Sequence, residues 1–77
     1  SEASALYLAL KAVRLRIAQQ ENVPAYVVFS NSTLADMAAK APASMAELLN
    51  VSGVGEIKAE RYGQIFLDAI IAYQQEH

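Results

Sequence analysis

Leu6, Leu10, Val13 and Ile17 recur at spacings of four, three and four, which lays one apolar stripe along a helix predicted over residues 2–21. Ser1 or Ser4 caps its start, and Asn22 ends it. Val23 precedes Pro24 and is pushed towards an extended conformation. The next stretch, Val-Pro-Ala-Tyr-Val-Val-Phe-Ser over residues 23–30, is apolar but follows neither helical nor strand alternation. With no second strand to pair with, it reads as an extended connector packed on the core. Asn31 or Ser32 caps a second helix through about Lys40, with Leu34, Met37 and Ala38 facing inward. Pro42 stops it. Ser44-Met-Ala-Glu47 has capping-box spacing, so a short third helix starts there, carries Leu48 and Leu49 and stops by Asn50. Val51-Ser-Gly-Val-Gly55 is a tight turn. A fourth helix runs to about Tyr62, where Gly63 is expected to end it. A fifth covers about Gln64 to Gln75, with Phe66, Ile70 and Tyr73 on one face and Leu67 and Ile71 beside it. The expected architecture is all-α: five short helices in one domain spanning residues 1–77.

Composition narrows the function classes. Seventy-seven residues suffice for one small core, and a 55% apolar content argues against disorder. The formal charge is −2, unlike the strongly basic balance of a tight nucleic-acid binder. It is unevenly spread. Lys11, Arg14, Arg16 and Lys40 outnumber Glu2, Glu21 and Asp36 in the first forty residues, while five carboxylates face only Lys58 and Arg61 in the rest. Any basic patch is therefore local. The absence of cysteine excludes disulfides and thiolate zinc sites and suits a cytoplasmic protein. No apolar run can span a membrane and no signal peptide is visible. The chain opens on Ser1, which suggests a piece of a longer protein. The single histidine is the terminal His77, so no His-rich metal site or nucleophile–histidine dyad is available. No Walker-type loop is present. Catalytic residues, metal ligands and a small-molecule substrate are not expected.

Three features remain as candidates for binding. The first is Leu49-Asn-Val-Ser-Gly-Val-Gly-Glu-Ile-Lys-Ala59, which resembles a helix–hairpin–helix. Gly53 and Gly55 would let backbone approach a phosphate, the following helix would aim free N–H groups at it, and Lys58 and Arg61 would add charge. The plainer alternative is a sharp turn between packed helices, favoured by Glu56 and Ile57 at the helix start. The second is Tyr26, whose ring would stack on an unpaired base while Lys11, Arg14 or Arg16 hold phosphates; the alternative is a ring packed inward with Val27, Val28 and Phe29. The third is a strip on the first helix. At about 100° per residue, Leu8 and Leu15 project opposite the core stripe, with Ala5 and Ala12 beside them. They face either a partner helix or the chain's own C-terminal helix.

The run Asn22-Val-Pro-Ala-Tyr-Val-Val-Phe-Ser-Asn-Ser-Thr-Leu-Ala-Asp-Met-Ala38, then Leu49-Asn-Val-Ser-Gly-Val-Gly55, then Glu60-Arg-Tyr-Gly63, resembles the HRDC domain (helicase and RNase D C-terminal), in its RecQ branch. The likeness covers nearly the whole chain. It implies an HRDC-like, SAM-like five-helix fold from the C-terminal region of a bacterial ATP-dependent 3′–5′ DNA helicase of recombination and repair. ATP and Mg would belong to the motor of that parent, with no cofactor in this domain. The likeness also implies weak binding of single-stranded or branched DNA through a basic face, with Tyr26 at a contact position. Leu8, Ala9, Ala12 and Leu15 depart from the pattern of DNA-binding relatives, in which these positions can be Lys or Arg. That departure suits a copy docking on the helicase core or on sister HRDC domains of the same chain.

Overall fold

Ser1 starts the first helix: its hydroxyl accepts the Ser4 N–H at 3.2 Å and supplies one of the four bonds a helix start lacks. In the computed structural model, which describes residues 1–77, α1 spans Glu2–Glu21. Asn22 closes it in the left-handed conformation, φ 56°. All four residues of the predicted stripe are buried.

The connector differs from its expected extended form. Ala25–Val28 forms one helical turn, α2. Pro24 stands at its N-cap in extended backbone, and its carbonyl accepts the Val27 N–H at 3.0 Å, which closes the turn. Phe29 then returns to extended backbone and, with Val28, is fully enclosed.

Helix α3, Asn31–Lys40, is capped by Ser30 and not by Asn31 or Ser32. The Ser30 hydroxyl accepts the Thr33 N–H at 3.2 Å. Leu34, Met37 and Ala38 face the core as expected, and Ala41 ends the helix at φ 44° ahead of Pro42. Helix α4, Met45–Leu48, begins at Ser44, whose hydroxyl accepts the Glu47 N–H at 3.1 Å. Glu47 reaches back to the amide of Ala43, one residue earlier than a standard capping box.

Gly63 does not end a helix. The last two predicted helices are one, α5, Glu56–Glu76. The apolar series Ala59, Tyr62, Phe66, Leu67 and Ile70 runs across Gly63 without interruption, and all five are buried. A Cβ at Gly63 would come within 2.9 Å of Met45 Sδ and 3.0 Å of Leu48 Cδ2. The glycine therefore admits α4 against α5. Five helices remain, one gained in the connector and two merged. Ile71 stays at the surface, and half-buried Tyr73 stacks on His77 at 4.1 Å. No helix is long and apolar enough to cross a membrane.

Candidate nucleic-acid interface

Phe29 organises this region. Its ring meets Tyr62 edge-on at 6.1 Å and Phe66 at 5.1 Å, the T-shaped geometry that aromatic pairs favour. Its backbone carbonyl accepts a hydrogen bond from Arg14 Nη1 at 2.9 Å, and Lys58 Nζ lies 5.9 Å from its ring centre. Phe29 so anchors the end of α2 between α1 and α5. Tyr26, three residues earlier on that anchored turn, points outward and is 70% exposed. The inward alternative for Tyr26 is thereby set aside, while its neighbours Val28 and Phe29 take the inward positions.

Arg14 is a correction. It was expected among the phosphate contacts, but it is only 8% exposed. Its bond to Phe29 fixes the connector, and its Nε has no hydrogen-bond partner. A side chain enclosed this far serves the connector in preference to a ligand. Lys11 is half-buried and lies over its neighbour Tyr7, 5.4 Å from the ring centre. It sits ten residues before the end of α1, about one turn ahead of Arg14, which bonds the end of the connector.

Lys58 and Arg61 occupy the first two turns of α5. Arg61 lies over the Tyr62 ring at 5.0 Å and pairs with Glu21 at 3.2 Å, yet its side chain remains 58% exposed. The Tyr62 hydroxyl donates to the same Glu21 oxygen at 2.7 Å. That bond to a carboxylate, and secondly burial, hold the Tyr62 phenol above its usual range, with Arg61 opposing.

The hairpin turn is clamped from α3. Gly53 has φ +84°, and a Cβ there would collide with the Thr33 hydroxyl. The Ser52 N–H donates to Asp36 at 2.8 Å. Lys40 pairs with Asp36 at 2.8 Å and donates to the Asn50 carbonyl at 2.9 Å. The bond to Lys40, then the Ser52 amide, lowers the Asp36 pKa from its usual 3.8. Asp36 therefore holds the Ser52 amide of the loop, and close packing on Thr33 is what demands glycine at position 53. Gly55 differs: nothing lies within 4 Å of a Cβ there, and it caps α5 without a side-chain bond. Glu56 and the 77%-exposed Ile57 follow it. Sequence reasoning missed the Thr33–Asp36–Lys40 clamp; its one local sign was the i,i+4 spacing of Asp36 and Lys40.

Leu8 is 64% exposed and Leu15 53%, with Ala12 exposed between them. Neither leucine packs on the C-terminal helix, so the strip is surface.

Comparison with known proteins agrees with this architecture. The family model described as "HRDC domain" matches residues 3–70. The chain is 46% identical over 72 residues to the ATP-dependent DNA helicase RecQ of Haemophilus influenzae, covering 94% of this chain and 11% of that protein. It is 43% identical over 65 residues to the ATP-dependent DNA helicase UvrD2 of Mycobacterium tuberculosis, covering 84% and 9%. The solved structure "D. radiodurans RecQ HRDC domain 3" superposes with a TM-score of 0.89 at 40% identity, over 94% of this chain and 95% of that one. The chain thus spans about a tenth of the length of these helicases. With the family model covering most of the sequence and the fold reproduced nearly end to end, the chain belongs to the HRDC domain family.

Proposed function

We propose that the chain is an auxiliary, non-catalytic DNA-binding domain of a RecQ-family ATP-dependent 3′–5′ helicase. It binds single-stranded or branched DNA weakly and tunes substrate choice in recombination and repair. Hydrolysis of ATP with Mg belongs to the motor of that parent. The observation that carries this reading is Tyr26: a 70%-exposed ring on a turn fixed by Pro24 on one side and buried Phe29 on the other. An exposed ring on a fixed backbone turn offers a stacking face, worth roughly 1–3 kcal/mol per base. Lys58 and Arg61, on the helix that packs against the same Phe29, supply phosphate contacts, and Lys11 adds a third farther along α1. Three contacts on a single strand give a log-affinity slope against log salt of about −2. Binding is therefore weak and falls about sixteenfold for a fourfold rise in salt, in keeping with the net charge of −2.

Fluorescence anisotropy of a labelled single-stranded oligonucleotide tests this at low and moderate salt. Tyr26→Ala should weaken binding about five- to tenfold or more while leaving the melting temperature unchanged, because the ring is outside the core. Unchanged affinity in that variant would falsify the stacking role.

A second reading is favoured by the exposed Leu8 and Leu15: the domain docks on protein and has little DNA affinity. Leu8→Lys with Leu15→Lys should then leave the isolated chain folded and alter the behaviour of the parent helicase. The first reading rests on Tyr26 and the second on Leu8 and Leu15, so the two are compatible.

A further inference from the structure

Helix α1 carries apolar residues on both sides. Opposite the core stripe, Ala5, Leu8, Ala12, Leu15 and Gln19 are all exposed. Their spacings of three, four, three and four are those of a heptad seam, in which one helix covers another. At 1.5 Å per residue the seam runs roughly 20 Å. Alanine at alternate positions lets a second helix approach to the short end of the usual 8–10 Å interaxial range.

The flanks select the partner. Lys11 borders the seam on one side and Arg16 on the other, and neither has an ion-pair partner. The only acidic residues of α1 are Glu2 and Glu21, at its two ends, and Glu21 is engaged by Arg61 and Tyr62. The groove beside Arg16 is lined by Val13, Ile17, Gln20 and Ile65, none of them acidic, and no carboxylate lies within ion-pair distance of either cation. In a pair of copies, the flanking positions would set cation against cation in both parallel and antiparallel arrangements, which opposes self-association. A helix with carboxylates at those positions meets the same seam with attraction on both sides.

We propose that the outer face of α1 is a docking seam for an amphipathic helix of a partner protein. Apolar residues of that helix would cover Leu8 and Leu15, and its flanking Asp or Glu would pair with Lys11 and Arg16. This deepens the docking reading above and rests on it. The test titrates the 77-residue chain with two synthetic helices of about three heptads that share one Leu/Ala seam, one flanked by Glu and the other by Lys. The Glu-flanked helix should bind at least about tenfold more tightly at low salt, with an advantage that shrinks as salt rises. Lys11→Glu with Arg16→Glu should reverse the preference. Leu8→Lys with Leu15→Lys should abolish binding of both helices, and a thermal melt by circular dichroism should show that variant still folded. Equal binding of the two helices, lost in the leucine variant, overturns the acidic partner and leaves the docking reading standing. Binding indifferent to the leucine variant, or none at all, removes both. A Leu8-dependent dimer in sedimentation equilibrium assigns the seam to a second copy and overturns the proposal.

Discussion

Gly53 and Gly55 stand two residues apart and answer different demands. Gly53 sits at φ +84°, hard against the Thr33 hydroxyl. Gly55 has ordinary extended backbone and open space around it. Gly53→Ala should cost at least about 1–2 kcal/mol for the left-handed backbone alone, with displacement of Thr33 added, visible as a lower urea midpoint. Gly55→Ser should instead stabilise by roughly a few tenths of a kcal/mol, because serine gives α5 the side-chain cap it lacks. The same variant probes the phosphate role: a serine occupying the first-turn amides weakens DNA binding only if those amides hold a phosphate. The residue types at both positions were legible in the sequence, but the difference between them was not. It depends on Thr33, twenty residues away in the chain and on another helix. Arg14 was misassigned for a related reason. A basic residue on an amphipathic helix looks solvated until the connector folds over it, and that packing partner, the Phe29 carbonyl, leaves no mark in local spacing.

At the scale of elements, the clamp from α3 onto the hairpin turn has a pH signature. Asp36 is held by Lys40 and the Ser52 amide, and its pKa lies below the usual 3.8. A depressed carboxylate stabilises the fold above its unfolded value; the contribution fades as pH falls through 3.8 and is gone below the folded value. Asp36→Asn should therefore lower the urea midpoint at neutral pH, and its gap to the unsubstituted chain should shrink as pH falls below 3.8. A gap of equal size in both pH ranges would assign the loss to shape and not to charge. Helix starts were largely readable because Ser1 and Ser44 act through local bonds. The start of α3 was displaced to Ser30, since four polar candidates from Ser30 to Thr33 compete there and local sequence does not rank them. The break expected at Gly63 failed because a glycine that ends a helix and one that admits a neighbouring helix are the same letter. Only the position of Met45 and Leu48 separates the two uses.

For the whole molecule, the question is how a chain of net charge −2 would meet the DNA that the proposed function assigns to it. The core stripe of α1 and the apolar face of α5 were readable from periodicity, and the family resemblance supplied the fold. The distribution of free cations was not readable, because pairing and burial remove Arg14 and partly occupy Arg61. What remains is a few separated charges on α1 and α5 and an exposed ring on the connector. The start of α5 is where this sparse field is most easily changed. Ile57 is 77% exposed there, so Ile57→Lys removes no core contact and should shift stability by less than about 0.5 kcal/mol. If α5 presents Lys58 and Arg61 to phosphates, the added lysine contributes one more contact. The salt slope for a single strand should then steepen by about 0.7, with tighter binding at low salt. Combining it with Tyr26→Ala should keep the steeper slope and still lose the stacking contribution, because the two act through different physics at separate positions. An Ile57→Lys variant with an unchanged salt slope would place the start of α5 away from the DNA and leave Tyr26 and α1 as the contact surface.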